Sequence, residues 1–350
     1  MKNHLINRKL ILLISFGIIV IAMIAIILKI LIKEDEVKIK LTALEQYGKV
    51  SASKNELFGL ISSFTIDKNL DLYVADDAFK IVKKISKNGK VVREYGYGEG
   101  KGPGEFSAIH NIAVDTVGNL YVLDKINLNI NVFDSLNSLI STLKLPFLPA
   151  QIIVISPMVV DVMGFPFTYE GDLIYRYNLL NSNSDDPQFT YCTRPTRIDS
   201  KMSLMSGNSG RLVKSNSGYI YYIYFYPYLI QKFSANGKLI SSFEGHRKLD
   251  VPHQNSINGT IESNSGIREC AILPNDIIVL LVYQKNDNRI DQFFDVIDGK
   301  TGKFLGTTNC RQLGLEQVRL IRTDFLGNFY LDFLNPYPYI KKYKIVLEKK

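Results

Sequence analysis

Tryptophan is absent from this 350-residue chain, cysteine occurs three times and histidine four. These shortages exclude several chemistries. Cys192, Cys270 and Cys310 are far apart and odd in number, so no paired spacing points to a zinc site or a redox dithiol. Three small core residues are expected, because unpaired cysteine is among the most buried types, although export would permit one disulfide. Beyond His4 only His110, His246 and His253 remain, whereas a multi-histidine zinc centre needs about three converging imidazoles. His246 and His253 fall in the polar stretch 245–264, where solvation rather than ligation is expected. No nucleophile elbow occurs, and no Ser-His-Asp order can be assigned. The glycine-rich run 96–104 contains Pro103 and leads into the strand-like Ile112-Ala113-Val114. A phosphate loop must open a helix so that free amides face the anion, so this run is read as a connection between repeats.

Acid is missing from the first 33 residues, which carry Lys2, Arg8, Lys9, Lys29 and Lys33. Five of the eight net positive charges therefore lie in this segment, and the remainder makes no case for nucleic acid. Residues 10–28 are uncharged and apolar. At about 1.5 Å rise per residue they reach roughly 28 Å, close to the hydrocarbon thickness of a bilayer. Residues 1–33 are read as an uncleaved signal anchor, a single N-terminal transmembrane helix. A cleaved signal peptide is the alternative, with a weak small-residue site at Ala22 and Ala25. Lysines flank both ends, so charge barely sets the orientation. The position at the extreme N-terminus favours export, with the large domain outside the cytoplasmic membrane.

What the chain has in plenty is repetition. Asp67-Lys68-Asn69-Leu70-Asp71-Leu72-Tyr73-Val74-Ala75-Asp76 is paraphrased by Asp115-Thr116-Val117-Gly118-Asn119-Leu120-Tyr121-Val122-Leu123-Asp124, with Asp, Tyr and Asp each 48 residues apart. A period in the forties, with several short alternations and turns per unit, denotes a four-stranded propeller blade. Further copies appear at 215–221 and 324–332, with divergent units around 152–177 and 274–305. Tight turns such as Lys87-Asn88-Gly89-Lys90 join the outer strands. Six units over 64–347 average about 47 residues, within the blade range. The 19 Phe and 20 Tyr suit stacked sheets. The expected fold is thus all-β: a six-bladed β-propeller of four-stranded blades over 61–350, after a juxtamembrane linker at 34–60. Residues 344–347 read as the outer strand of the last unit. Val37-Lys38-Ile39-Lys40-Leu41 reads either as a ring-closing edge strand or as a stalk.

The units resemble NHL repeats, on Asp115 to Asp124, on the Ile230 to Lys238 hairpin and on Gly98 to Phe106. About four units match well. The resemblance implies a membrane-attached or exported propeller whose usual role is binding, although the family includes lyases and resembles calcium-dependent lactonases.

Register nominates a candidate site. Ten residues before Tyr73, Tyr121, Tyr221, Ile278 and Tyr330 stand Ser63, Asn111, Arg211, Arg268 and Leu320, at the start of each innermost strand. His110 and Arg319 lie one residue earlier. His110, Asn111, Arg211, Arg268 and Arg319 are therefore the expected ligand-binding set at the channel mouth. Arginines there suit a carboxylate, phosphate or sulfated group, unless they pair with acids such as Glu269 or Glu105. Tyr226, Tyr228, Tyr337 and Tyr339 beside prolines are expected in core or rim packing. The function expected is a binding or scaffold module for a protein, peptide or glycan, monomeric and needing no cofactor. The alternative is a propeller hydrolase or lyase with calcium or zinc in the channel, held by His110, Asn111 and nearby acids. No catalytic residue is assigned.

Overall fold

The computed structural model describes residues 23, 36–48, 57–165, 171–180, 186–193, 210–254, 261–286 and 289–349. The apolar run 10–28, read as a membrane helix, lies outside the described residues except for Met23. Among the described residues no helix is long and apolar enough to cross a membrane.

After β1 (Val37–Tyr47), the chain lays down blades in order. Blade one is β2 (Ile61–Ile66), β3 (Leu72–Asp76), β4 (Ile81–Ile85) and β5 (Val91–Tyr95). Blade two is β6 (Ile109–Val114), β7 (Leu120–Asp124), β8 (Asn129–Phe133) and β9 (Leu139–Lys144). Blade three is β10 (Leu148–Ser156), β11 (Val159–Phe165), β12 (Asp172–Asn178) and β13 (Phe189–Thr193). Blade four is β14 (Gly210–Lys214), β15 (Ile220–Tyr224), β16 (Leu229–Phe233) and β17 (Leu239–Glu244). A short hairpin of β18 (His253–Gln254) and β19 (Ile261–Glu262) precedes blade five, which is β20 (Ser265–Leu273), β21 (Ile277–Asn286), β22 (Arg289–Asp298) and β23 (Phe304–Asn309). The chain ends with β24 (Ile321–Thr323), β25 (Phe329–Phe333) and β26 (Tyr339–Lys349). The chain is therefore an all-β, six-bladed propeller with four antiparallel strands per blade.

Closure of the ring corrects one expectation. The sixth sheet runs β24-β25-β26-β1, so its outer strand comes from the N-terminal side of the chain. Residues 344–347 form no separate strand. No turn residue interrupts Tyr343-Lys344, so alternation carries β26 on without a break. Val37 pairs with Lys349 and Tyr47 with Ile340. The propeller thus begins at Val37 and not at 61.

The repeated sequence is explained by its turns. The Asp115 carboxylate accepts from the backbone N–H groups of Val117 and Asn119, from the Asn119 side chain and from the Tyr121 hydroxyl. Asp324 does the same for Leu326, Asn328 and Tyr330. One carboxylate fixes a tight turn and also anchors the strand that follows. Gly118 sits at φ +96, a conformation glycine adopts without a Cβ penalty, and Leu70 holds the same position in blade one at φ 67.

Each blade interface holds its own apolar cluster. Tyr73 and Tyr95 meet Phe106 and Phe133 between blades one and two. Tyr47 and Tyr330 meet Phe58 and Phe64 between blades six and one. The three cysteines are free and buried, as expected. Tyr228 is buried with its hydroxyl on Asp295, and Tyr339 stacks on Phe333. His246 is exposed, as expected, although one face of its ring stacks on Phe304, with centroids 3.4 Å apart, and it lies 4.0 Å from Asp295.

Candidate functional site

The six innermost strands surround the axis, each beside the next, with β2 touching β24 to complete the circle. Their starts share a device. The register slips by one residue between Ile61 and Ser63, Ile109 and Asn111, Pro149 and Gln151, and Ile267 and Glu269. The bulged residues are Ser62, His110, Ala150 and Arg268. A bulge leaves one residue outside the ladder and re-aims its side chain, which is why bulges gather at functional sites.

The residue after each bulge turns toward the neighbouring blade, and together these side chains build a polar belt. Asn111 donates to the Ser63 hydroxyl at 3.2 Å and accepts from the Ile152 amide at 3.0 Å. Gln151 exchanges two bonds with the Leu212 backbone, at 2.7 and 2.9 Å. Arg211 Nε donates to Glu269 Oε1 at 2.6 Å. Glu269 Oε2 sits 3.1 Å from Arg322 Nη1, an ion pair without hydrogen-bond geometry. Arg319 donates to the Ile61 carbonyl at 2.6 Å, joining blade six to blade one. Every blade-to-blade junction is thus bridged by a polar side chain.

The five nominated residues therefore divide. Asn111, Arg211 and Arg319 are engaged in the belt, and the His110 and Arg268 side chains make no hydrogen bond or ion pair among the described residues. Burial, with Lys125 and Arg211 nearby, pushes His110 down to about 4, so it is neutral at physiological pH. Arg268 is exposed at the mouth, yet the protein crowded round it, with Arg319 next, lowers its proton affinity. A guanidinium stays charged regardless. Glu105, named with Glu269 as a possible partner for these arginines, instead accepts from the Gly102 amide.

Asp332 completes the mouth. In blades one and two, the aspartate at this repeat position ties down the loop before the blade: Asp76 accepts from the amides of Gly59 and Leu60, and Asp124 from Ser107 and Ala108. In blade six Asp332 Oδ2 instead takes Arg319, at 2.8 Å, and Oδ1 is buried without a partner. Burial, only partly offset by Arg319, Arg322 and Arg268, raises its carboxyl to about 6. The folded value exceeds the unfolded one, so the native state binds more protons between about pH 4 and pH 6. The stability this contributes is full below about pH 4 and is lost as pH rises through about 6. An Asp332→Asn variant lacks this titration. The advantage of the parent over it is expected to shrink by about 1–3 kcal/mol from pH 4 to pH 7 in urea unfolding. A growing advantage would show that Arg319 outweighs burial.

Beside Arg268 and Arg319 opens a cavity of about 590 Å³, walled by the β21–β22 hairpin and the 310–319 connection. Arg289 and Arg311 line its outer part and share Asp291, at 3.1 and 3.7 Å. A second cavity of about 510 Å³ opens the axis at the opposite end of the inner strands. Among the described residues, no three His, Cys, Asp or Glu side chains are grouped to hold a metal ion. His110 has the cations Lys125 and Arg211 near it with one acid, Asp77, and the Asn111 side chain is spent on Ser63 and Ile152, a set that does not fit a calcium or zinc centre.

Sequence reasoning missed Gln151, because the third unit is 40 rather than 48 residues after Asn111, and it missed Arg322 and Asp332. Asp332 was visible as the last residue of the Phe329-Tyr330-Leu331-Asp332 copy, although nothing in that copy shows its different partner.

Known folds resemble the chain across nearly its whole length. A DUF4221 family member from Bacteroides vulgatus superposes with TM-score 0.62 at 9% identity, covering 90% of this chain and 100% of that one. A putative exported protein from Bacteroides fragilis gives 0.62 at 12%, covering 89% and 96%. A catalytically inactive virginiamycin B lyase from Staphylococcus aureus, solved with quinupristin, gives 0.51 at 12%, covering 89% and 100%. At these identities the likeness concerns the fold alone. No curated protein matches the chain in sequence. The family profile described as a 6-bladed beta-propeller, DUF5128, matches residues 54–311, and with three quarters of its length inside that match the chain belongs to this family.

Proposed function

We propose that the chain is a membrane-tethered binding module with NHL-like repeats, which meets a protein, peptide or glycan at the arginine-bearing mouth of its propeller. One observation carries the reading: Arg268 and His110 are lifted out of the ladder by bulges and spent on no internal bond, while their neighbours are consumed in the belt. The Arg268 charge and the neutral His110 ring at this concave mouth are available to a partner.

The direction of β1 supports the tether. β26 runs from Tyr339, at the mouth, to Lys349, at the far face, and antiparallel β1 therefore enters at the far face with Val37. Only residues 29–36 separate this point from the apolar run 10–28. An anchor there would hold the far face toward the bilayer, where the exposed turn residues Val117, Phe325 and Leu326 project, and leave the mouth pointing away. The large domain then stands outside the cytoplasmic membrane.

Site-specific photocrosslinking in intact cells of the native host tests this, with the full chain carrying the crosslinker at position 290, an exposed residue beside Arg268 at the mouth, or at position 117. A discrete adduct from 290 and none from 117 is expected. Adducts from 117 alone, or from neither, overturn the reading.

A further inference from the structure

We infer that the cavity between the β21–β22 hairpin and the 310–319 connection is a subsite for a small organic anion held through its carboxylate. This rests on the reading of the mouth as the ligand-bearing face and names the chemistry that one part of it recognises. The volume of about 590 Å³ lies within the range of small-molecule sites and exceeds what a lone inorganic ion would fill.

Charge is in surplus. Four arginines, Arg268, Arg289, Arg311 and Arg319, line the cavity against two acids, Asp291 and the exposed Glu316. Asp291 is shared by two guanidiniums, and Asp332 is taken by Arg319 through one oxygen. Among the described residues Arg268 is in no ion pair, and an incoming carboxylate would supply one. The planar guanidinium fork matches a carboxylate with two parallel hydrogen bonds. No glycine lines the cavity, and the one helical turn there, the four-residue Cys310–Leu313, has its Arg311 amide already spent on the Asn309 side chain, so the backbone devices that favour phosphate are weak. Leu315, on the same wall, supplies an apolar surface for the carbon skeleton.

The walls are fixed before any ligand arrives. The Gln292 amide, on β22, donates to the Val318 carbonyl and accepts from the Val318 amide, both at 2.8 Å. This double bond pair clamps the connection to the hairpin. A preorganised wall lowers the ordering cost of binding.

The test is calorimetric titration of the full chain in detergent at low salt with citrate, D-glucuronate and inorganic phosphate. Arg268→Gln and Lys300→Gln are run beside it, the latter altering an exposed turn at the far face. The Arg268 side chain bonds to none of the described residues, so its substitution should leave the melting temperature unchanged. At least one carboxylate is expected to bind, more tightly than phosphate, and Arg268→Gln should weaken it about 10–100-fold, as for loss of a charged hydrogen-bonding group. Lys300→Gln should match the parent. Binding of neither carboxylate, equal binding by Arg268→Gln, or a preference for phosphate would each overturn the assignment. Persistence of the crosslink from position 290 alongside such a failure would remove this subsite and leave the binding-module reading standing. Loss of both would remove both.

Discussion

Replacing residues 37–47 with a glycine-serine run of equal length is expected to abolish cooperative folding, although the substitution touches none of the repeats. β1 supplies the outer strand of the sixth blade and buries Val37, Ile39 and Tyr47. At about 1.5–3 kcal/mol for each fully buried large apolar side chain, these three account for roughly 5–8 kcal/mol, comparable to the whole net stability of many domains. β1 also bonds across to blade five: the Ile39 amide donates to Thr308, and Lys38 to the Thr307 carbonyl. Gly306 admits this approach, since a Cβ there would run into the Val37 carbonyl oxygen. Without β1 the edge of β26 lies open to pairing with another chain. Circular dichroism on heating and size-exclusion chromatography of the detergent-solubilised full chain provide the readout. A single sharp transition near the parental temperature, from a monodisperse species, would show that the ring closes without this strand.

Glu269→Gln should be the most damaging single change in the belt. The carboxylate is buried and stands between Arg211 of blade four and Arg322 of blade six. Removing its charge leaves two guanidiniums facing each other without an anion. Breaking a fully buried pair costs about 3–5 kcal/mol, and both arginines retain some solvent contact, so a loss of about 2–3 kcal/mol is expected. For a propeller of this size that corresponds to a fall in melting temperature of roughly 3–5 °C. Urea denaturation of Glu269→Gln, Arg322→Met and the double variant would measure the coupling directly. Parental stability in Glu269→Gln would mean that the belt is ornamental and that closure rests on the apolar slabs between blades. If the belt matters as described, citrate should restore more stability to Glu269→Gln than to the parent, because it can stand in for the lost anion.

Much of the fold was legible because its determinants are local. The Asp115-to-Asp124 unit writes its turn, its strand and its tyrosine anchor within ten residues, and each of those bonds closes over a short distance. Blade three was harder to read: Pro157-Met158 forms its first turn without an aspartate, so the repeat lacks its most visible mark. The candidate site was only half legible. A fixed offset from the second-strand tyrosine found His110, Asn111, Arg211 and Arg268, because strand spacing sets which residues open each inner strand. The division between spent and unspent side chains depends on partners 40 to 258 residues away, such as Ile152 for Asn111 and Ile61 for Arg319. No spacing rule within one repeat carries that information.

By itself, then, the sequence determined the all-β class, the number of blades, the turn chemistry and the burial of the three cysteines, since periodic patterning and turn residues act over a few positions. Tertiary structure decided three other things. It made β1 a strand of the sixth blade rather than a stalk, because β26 offers an open edge only once the ring has curled round. It assigned Glu269 to two arginines from different blades, and Asp332 to Arg319 rather than to a loop. It left Arg268 without an ion pair among the described residues, because the bulge in β20 carries that side chain out of the ladder while Asp291 and Asp332 are held by other arginines.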